Sequence, residues 1–176
     1  MYKADGVFLN KKENFDNIEI IYNVEAVCVF KSDKINGVVY FKETSNGTEI
    51  SGNVSGLNPN QKHGFHIHES GDLTDGCTSA CAHYNPFNKS HGGPNLVERH
   101  VGDLGNLEGD ENGNCDFFMV DTLVKLSGPY SVIGRSVIVH EDEDDLGLGG
   151  QDDSLTTGHA GKRLVCGVIG FKKGCK

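Results

Sequence analysis

The chain has 176 residues, 36% of them hydrophobic, and a formal net charge of −9. That length suits one domain with a buried core. The acidic balance argues against nucleic acid and anionic membrane surfaces as partners, and no apolar run approaches the ~20 residues of a membrane span.

Abundant glycine and scarce helical periodicity predict short strands and many turns. Residues 1–23 read as an N-terminal extension, strand-like or disordered, ahead of a domain spanning 24–176. Met1–Glu19 is mixed in charge and lacks the apolar centre of a signal peptide, which predicts a cytoplasmic protein. Ile18–Phe30 favours strand, with Cys28 as a buried core thiol. Asp33–Gly37 reads as a turn, Val38–Lys42 as a strand, Ser45-Asn46-Gly47 as a hairpin turn and Glu49–Ser55 as the return strand. A loop around Pro59 leads to Gly-Phe-His-Ile-His-Glu-Ser-Gly-Asp, residues 64–72. From Gly71 to Gly102 no apolar period is visible, and so long an irregular stretch points to function. Asp103–Leu107, Cys115–Val124, Ser136–His140 and Leu164–Phe171 complete about eight strands. A second irregular stretch, Glu141–Lys162, is Gly-rich and acidic. The pattern predicts an all-β, eight-stranded antiparallel sandwich or barrel with two long functional loops.

Alternation on a strand sends Phe65 and Ile67 to the core and His66 and His68 out together, roughly 7 Å apart by the strand rise. The following loop places His83, His91 and His100 ahead of Asp103. Three imidazoles and a carboxylate satisfy a closed tetrahedral zinc site. His140, ending a strand, can join His66 and His68, and all-imidazole ligation suits a redox-active copper. The six cysteines, Cys28, Cys77, Cys81, Cys115, Cys166 and Cys175, allow 15 full pairings. An intracellular setting favours free thiols or metal ligands, and the lack of Cys-x-x-Cys argues against a thiolate zinc site.

From about Val24 to Lys172 the sequence resembles a copper/zinc superoxide dismutase. The likeness runs through residues 64–72, Gly-Cys-Thr-Ser-Ala (76–80), His-Tyr-Asn-Pro (83–86) and His-Gly-Gly-Pro (91–94). It continues through Glu-Arg-His-Val-Gly-Asp-Leu-Gly-Asn (98–106), Gly-Arg-Ser-Val-Ile-Val-His-Glu (134–141) and Arg-Leu-Val-Cys-Gly-Val-Ile-Gly (163–170). The resemblance implies a Greek-key sandwich and disproportionation of superoxide. It implies copper on His66, His68, His83 and His140, and zinc on His83, His91, His100 and Asp103, with His83 bridging. Asp144 would accept N–H bonds from one histidine of each metal. Arg163 would bind the anion, and Cys77 and Cys166 would form a disulfide. Catalysis would fall to His83 and Arg163. A homodimer through Ile133, Val168 and Phe171 and a copper chaperone as donor are the further partners implied.

Three departures from the family pattern stand out. Cys81 occupies a position where many members have glycine and could compete for Cys166. Residues 1–23 precede the family's usual start. Glu141–Asp153 carries seven acids and no base, and Leu148 and Thr156 stand where relatives often carry lysine. Only Lys162 offers evident compensation, which predicts weak electrostatic steering of the anion. The alternatives are a copper-handling, chaperone-like protein or a catalytically silent binding protein. Lost ligands would mark either one, and none is lost.

Overall fold

The computed structural model of the protein describes residues 24–174; the expectations for 1–23 and Cys175 lie outside that range. Strands β1 (Glu25–Lys31), β2 (Asn36–Thr44) and β3 (Gly47–Ser55) form an antiparallel meander. Strand β4 (Lys62–His68) crosses to a second sheet, and a short β5 (Thr74–Cys77) follows. Strands β6 (Asp103–Glu108), β7 (Asn114–Asp121), β8 (Ser136–His140) and β9 (Arg163–Val168) complete the frame, with a two-residue β10 (Gly170–Phe171). One sheet runs β10-β1-β2-β3-β7 and the other β6-β4-β8-β9. Every named pairing is antiparallel. The eight expected strands are present in a two-sheet sandwich, with β5 and β10 as small additions.

The core lies between the sheets because the inward side of each strand is apolar. Ala26, Cys28 and Phe30 alternate inward on β1, Val39 and Phe41 on β2, and Phe65 and Ile67 on β4. Phe65 meets Phe117 edge to face, with centroids 5.4 Å apart. Full burial of one such ring contributes roughly 1.5–3 kcal/mol, so the sandwich is a stiff support. Cys28 is a core thiol, its pKa pushed up to about 12 by burial, partly opposed by a bond with the Val137 backbone.

Some boundaries move. Strand β2 extends past Val38–Lys42 because its ladder with β3 runs from Asn36↔Ser55 to Thr44↔Gly47. Strand β7 ends at Asp121, whose Oδ1 accepts the Leu123 and Val124 N–H groups at 2.8 and 2.9 Å and turns the chain out of the sheet. The stretch 71–102 contains β5 and a 3-10 turn at Thr78–Ala80. The acidic stretch contains one helical turn, α1 (Ser154–Thr157).

Candidate metal centre

Both histidine-bearing strands are irregular where the histidines sit. The β4–β6 register shifts between Gly64 and His66, and the β8–β9 register shifts between Val139 and His140. Such bulges re-aim a side chain relative to a regular ladder. His66 and His68 leave the outer face with ring centroids 6.5 Å apart, close to the spacing expected from the sequence. The long loop folds over them: Tyr84 N–H donates to the Ile67 carbonyl at 2.8 Å, and Ile67 N–H donates to Gly102 at 2.8 Å. This brings His83 against the strand histidines, its centroid 4.1 Å from that of His66.

Two groups of donor atoms result, each within 4.8 Å of one another: His66, His68, His83 and His140, and His83, His91, His100 and Asp103. All seven residues are buried. In the first group the outer ring nitrogens are spoken for. His68 Nδ1 donates to the Cys81 carbonyl at 2.9 Å and His140 Nδ1 to the Gly161 carbonyl at 3.2 Å. His66 Nε2 donates to Asp144 Oδ2 at 2.9 Å. The inward nitrogens are therefore lone pairs. His68 Nε2 and His140 Nε2 face each other at 3.2 Å with no hydrogen between them, a repulsive contact that a shared cation reverses. His66 Nδ1 and His83 Nε2 are buried without a hydrogen-bond partner, a cost of about 1–3 kcal/mol each that ligation removes.

The second group surrounds a single oxygen. His83, His91 and His100 approach Asp103 Oδ1 with Nδ1 at 2.9, 3.0 and 3.1 Å. The His91 Nδ1 contact lacks hydrogen-bond geometry, leaving that atom unpartnered. A tetrahedral ion with bonds of about 2.0–2.1 Å separates its ligands by about 3.3 Å, so these spacings suit a small divalent cation. Asp103 Oδ2 is turned away, accepting the His100 and Gly92 N–H groups at 2.8 and 3.1 Å.

Proton affinity differs among the rings. Burial, reinforced by the neighbouring His83, pushes His66 down to about 3. Burial likewise takes His140 to about 4 despite the Gly161 carbonyl, and it lowers His68 and His83. These rings are neutral at physiological pH, the form in which imidazole binds metal. Burial also opposes charge on His91, but the nearby Asp103 carboxylate and the bond to Asp144 outweigh it and raise His91 to about 9. Asp144 is held at about 2, burial being overcome by His66 and His91. Its two oxygens span the groups: Oδ2 on His66, and Oδ1 on His91 Nε2 at 2.7 Å. Gly158 fits here because a Cβ would lie 2.0 Å from Asp144 Oδ1.

Arg163 lies opposite His140 in the β8–β9 ladder. Its Nη1 donates to the Cys77 carbonyl at 2.6 Å and to Thr78 at 3.2 Å, and Nη2 to Cys81 at 2.5 Å. The Cys81 oxygen thus serves Arg163 and His68 together. Cys77 pairs with Cys166, Cα–Cα 5.6 Å, and Cys81 is a free, exposed thiol. Its backbone lies at φ 63°, ψ −153°, a region populated almost solely by glycine.

Several contributors were not visible in the sequence. His63 is fully buried; it accepts the Asn58 N–H at Nε2 and donates from Nδ1 to the His140 carbonyl at 2.8 Å. Arg99 bonds the carbonyls of His100 and Asp103 and meets Asp121 at 2.6 Å. Around the acidic stretch, Lys62 pairs with Glu143 at 2.9 Å and His159 with Asp153 at 2.7 Å, so Lys162, 3.5 Å from Glu141, is not the sole compensation.

Fold and donor set together define a class: an all-β sandwich bearing adjoining imidazole and imidazole–carboxylate groups suited to two metal ions. The family model for copper/zinc superoxide dismutase matches residues 35–169. A superoxide dismutase [Cu-Zn] of Paramecium bursaria Chlorella virus 1 is 51% identical over 167 residues, covering 95% of this chain and 89% of its own. That of Saccharomyces cerevisiae is 52% identical over 151 residues, covering 84% and 98%. The crystal structure of the clock protein EA4 superposes with a TM-score of 0.83 at 45% identity, covering 86% of this chain and 96% of that one. The chain belongs to the copper/zinc superoxide dismutase family.

Proposed function

We propose that the protein disproportionates superoxide, two superoxide anions and two protons giving oxygen and hydrogen peroxide. Copper would be held by His66, His68, His83 and His140, and zinc by His83, His91, His100 and Asp103. The observation that carries this reading is the double membership of His83. Its Nδ1 lies 2.9 Å from Asp103 Oδ1, while its Nε2 is unpartnered in a ring packed against His66 and His68. Bound copper supplies a one-electron redox couple and bound zinc a redox-inert charge.

The chain's own residues do the rest. His83 Nε2 takes up a proton in one half-reaction and releases it in the other, while a second proton comes from solvent. A neighbouring dication makes deprotonation of that nitrogen attainable near neutral pH. Arg163 keeps its charge although burial lowers its pKa. Its guanidinium, fixed by three carbonyls, is preorganised for a small anion. Asp144 orients His66 and His91.

The test is superoxide decay on protein of assayed copper and zinc content. Fast, copper-dependent decay supports the reading; none at full copper occupancy overturns it. The copper-handling alternative is not favoured, since both donor groups are complete. Exposed Val168 and Phe171, at 41% and 62%, with half-buried Ile133, support pairing as a homodimer, to be checked by sedimentation. A cytoplasmic location fits the free Cys28, Cys81 and Cys115. One relative, from Onchocerca volvulus, is named extracellular, so fractionation decides. Delivery of copper by a chaperone and a domain spanning 24–176 complete the proposal.

A further inference from the structure

We propose that Asn106 is a positioning residue for both metal groups, acting through Asp144; the inference rests on the ligand assignment above. Asn106 lies on β6, paired with Gly64 of β4, two residues before His66. Its side-chain amide clamps the Asp144 backbone from both sides. Asp144 N–H donates to Asn106 Oδ1 at 2.7 Å, and Asn106 Nδ2 donates to the Asp144 carbonyl at 2.9 Å.

Two opposed bonds from one planar amide fix both the place and the tilt of the residue they grip. Asp144 needs this, because it lies in the irregular stretch between β8 and α1 and belongs to no strand. Its carboxylate has no freedom to spare: Oδ2 holds His66, and Oδ1 holds His91 and also accepts the Leu146 N–H at 2.8 Å. A tilt of the backbone would therefore move one imidazole of each group at once. Strand β6 thus sets the aim of both rings through one amide. Aspartate at 106 would keep the acceptor but turn a carboxylate oxygen toward the Asp144 carbonyl, and alanine would remove both bonds.

Loss of hydrogen bonds that orient metal-ligating histidines typically lowers affinity 10- to 100-fold; the clamp acts one bond further out, so about tenfold is expected. The experiment uses the full chain, stripped of metal, as wild type, Asn106→Ala, Asn106→Asp and Asp103→Ala. Zinc affinity is read by chelator competition, and copper geometry by the electron paramagnetic resonance of added Cu(II). The expected result for Asn106→Ala is about tenfold weaker zinc binding together with a shifted copper spectrum. A folded Asn106→Ala with zinc affinity within about twofold of wild type and a superimposable copper spectrum overturns the inference, even if its melting temperature falls. If circular dichroism shows that Asn106→Ala does not fold, Asn106→Asp decides by the same two readouts. Failure of the underlying ligand reading looks different: Asp103→Ala would then bind zinc like wild type.

Discussion

The two donor groups use the same side chain on different supports. His66, His68 and His140 stand on strands β4 and β8 of a packed sandwich. His83, His91 and His100 stand on the loop between β5 and β6, and a buried carboxylate gathers them. Where the strands supply placement, burial acts almost alone and the imidazoles become weak bases. On the loop, burial lowers His83 as well despite Asp103, whereas the carboxylates of Asp103 and Asp144 together make His91 a stronger base. Proton affinity thus tracks the carboxylates a ring faces: His91 meets two, His66 and His83 one each. The neutral strand-borne rings would accept a metal without losing protons, whereas His91 would exchange a proton for it.

The sharpest test of this contrast removes one strand-borne imidazole and, separately, the β6 carboxylate that gathers the loop. His68→Ala should cut superoxide turnover by roughly a thousandfold or more, beyond the 10- to 100-fold typical of outer-shell changes. The metal-free protein should melt close to wild type, because the strand persists without the ring. Asp103→Ala should do the reverse to the fold. Removing the anion from a buried pair costs about 3–5 kcal/mol, measurable by urea denaturation of the metal-free protein. Limited proteolysis should then cut within 78–102; a loop that stays resistant would break the comparison.

Acidification separates the groups by sign. His66 and His140 titrate near 3 and 4 in the folded protein, below the 6.5 of a free imidazole. Between those values the unfolded chain binds protons that the folded chain refuses, so stability falls as pH drops. Asp144, held at about 2, adds to the loss below its ordinary carboxylate range. His91 works oppositely: its contribution is complete below 6.5 and disappears as pH rises through about 9. The metal-free protein should melt highest near neutrality and roughly 10 °C lower by pH 4, equivalent to a few kcal/mol. A melting temperature that climbs on acidification would show His91 dominating.

Two smaller effects concern the rim. Cys81→Gly should stabilise by about 1 kcal/mol, strain relief exceeding the added unfolded-state entropy; calorimetry reads it. Steering should be weak, with turnover changing less than about twofold from low to physiological salt, because little attraction exists to screen. A steep salt dependence would mean that Lys62, Lys162 and Arg163 outweigh the acids.

Legibility in the sequence followed the same division. Alternation through Phe65, His66, Ile67 and His68 revealed the strand, its inward face and the outward pair, because a period of two survives into the fold unchanged. The loop histidines could be grouped by residue type and spacing, but their gathering around one oxygen depends on backbone bonds between Ile67, Tyr84 and Gly102, which no local pattern encodes. His63 and Asn106 stayed hidden because each acts on a distant backbone: His63 on His140, Asn106 on Asp144. The same blindness applied to Lys62 and His159, whose acidic partners are identifiable only once the loop has folded.

The carbonyl of Cys81 serves as a common datum. Arg163 and His68 are both referenced to that one oxygen, so a fluctuation of the 77–81 segment carries the guanidinium and the imidazole in the same direction. Their separation is buffered against motions that displace each of them.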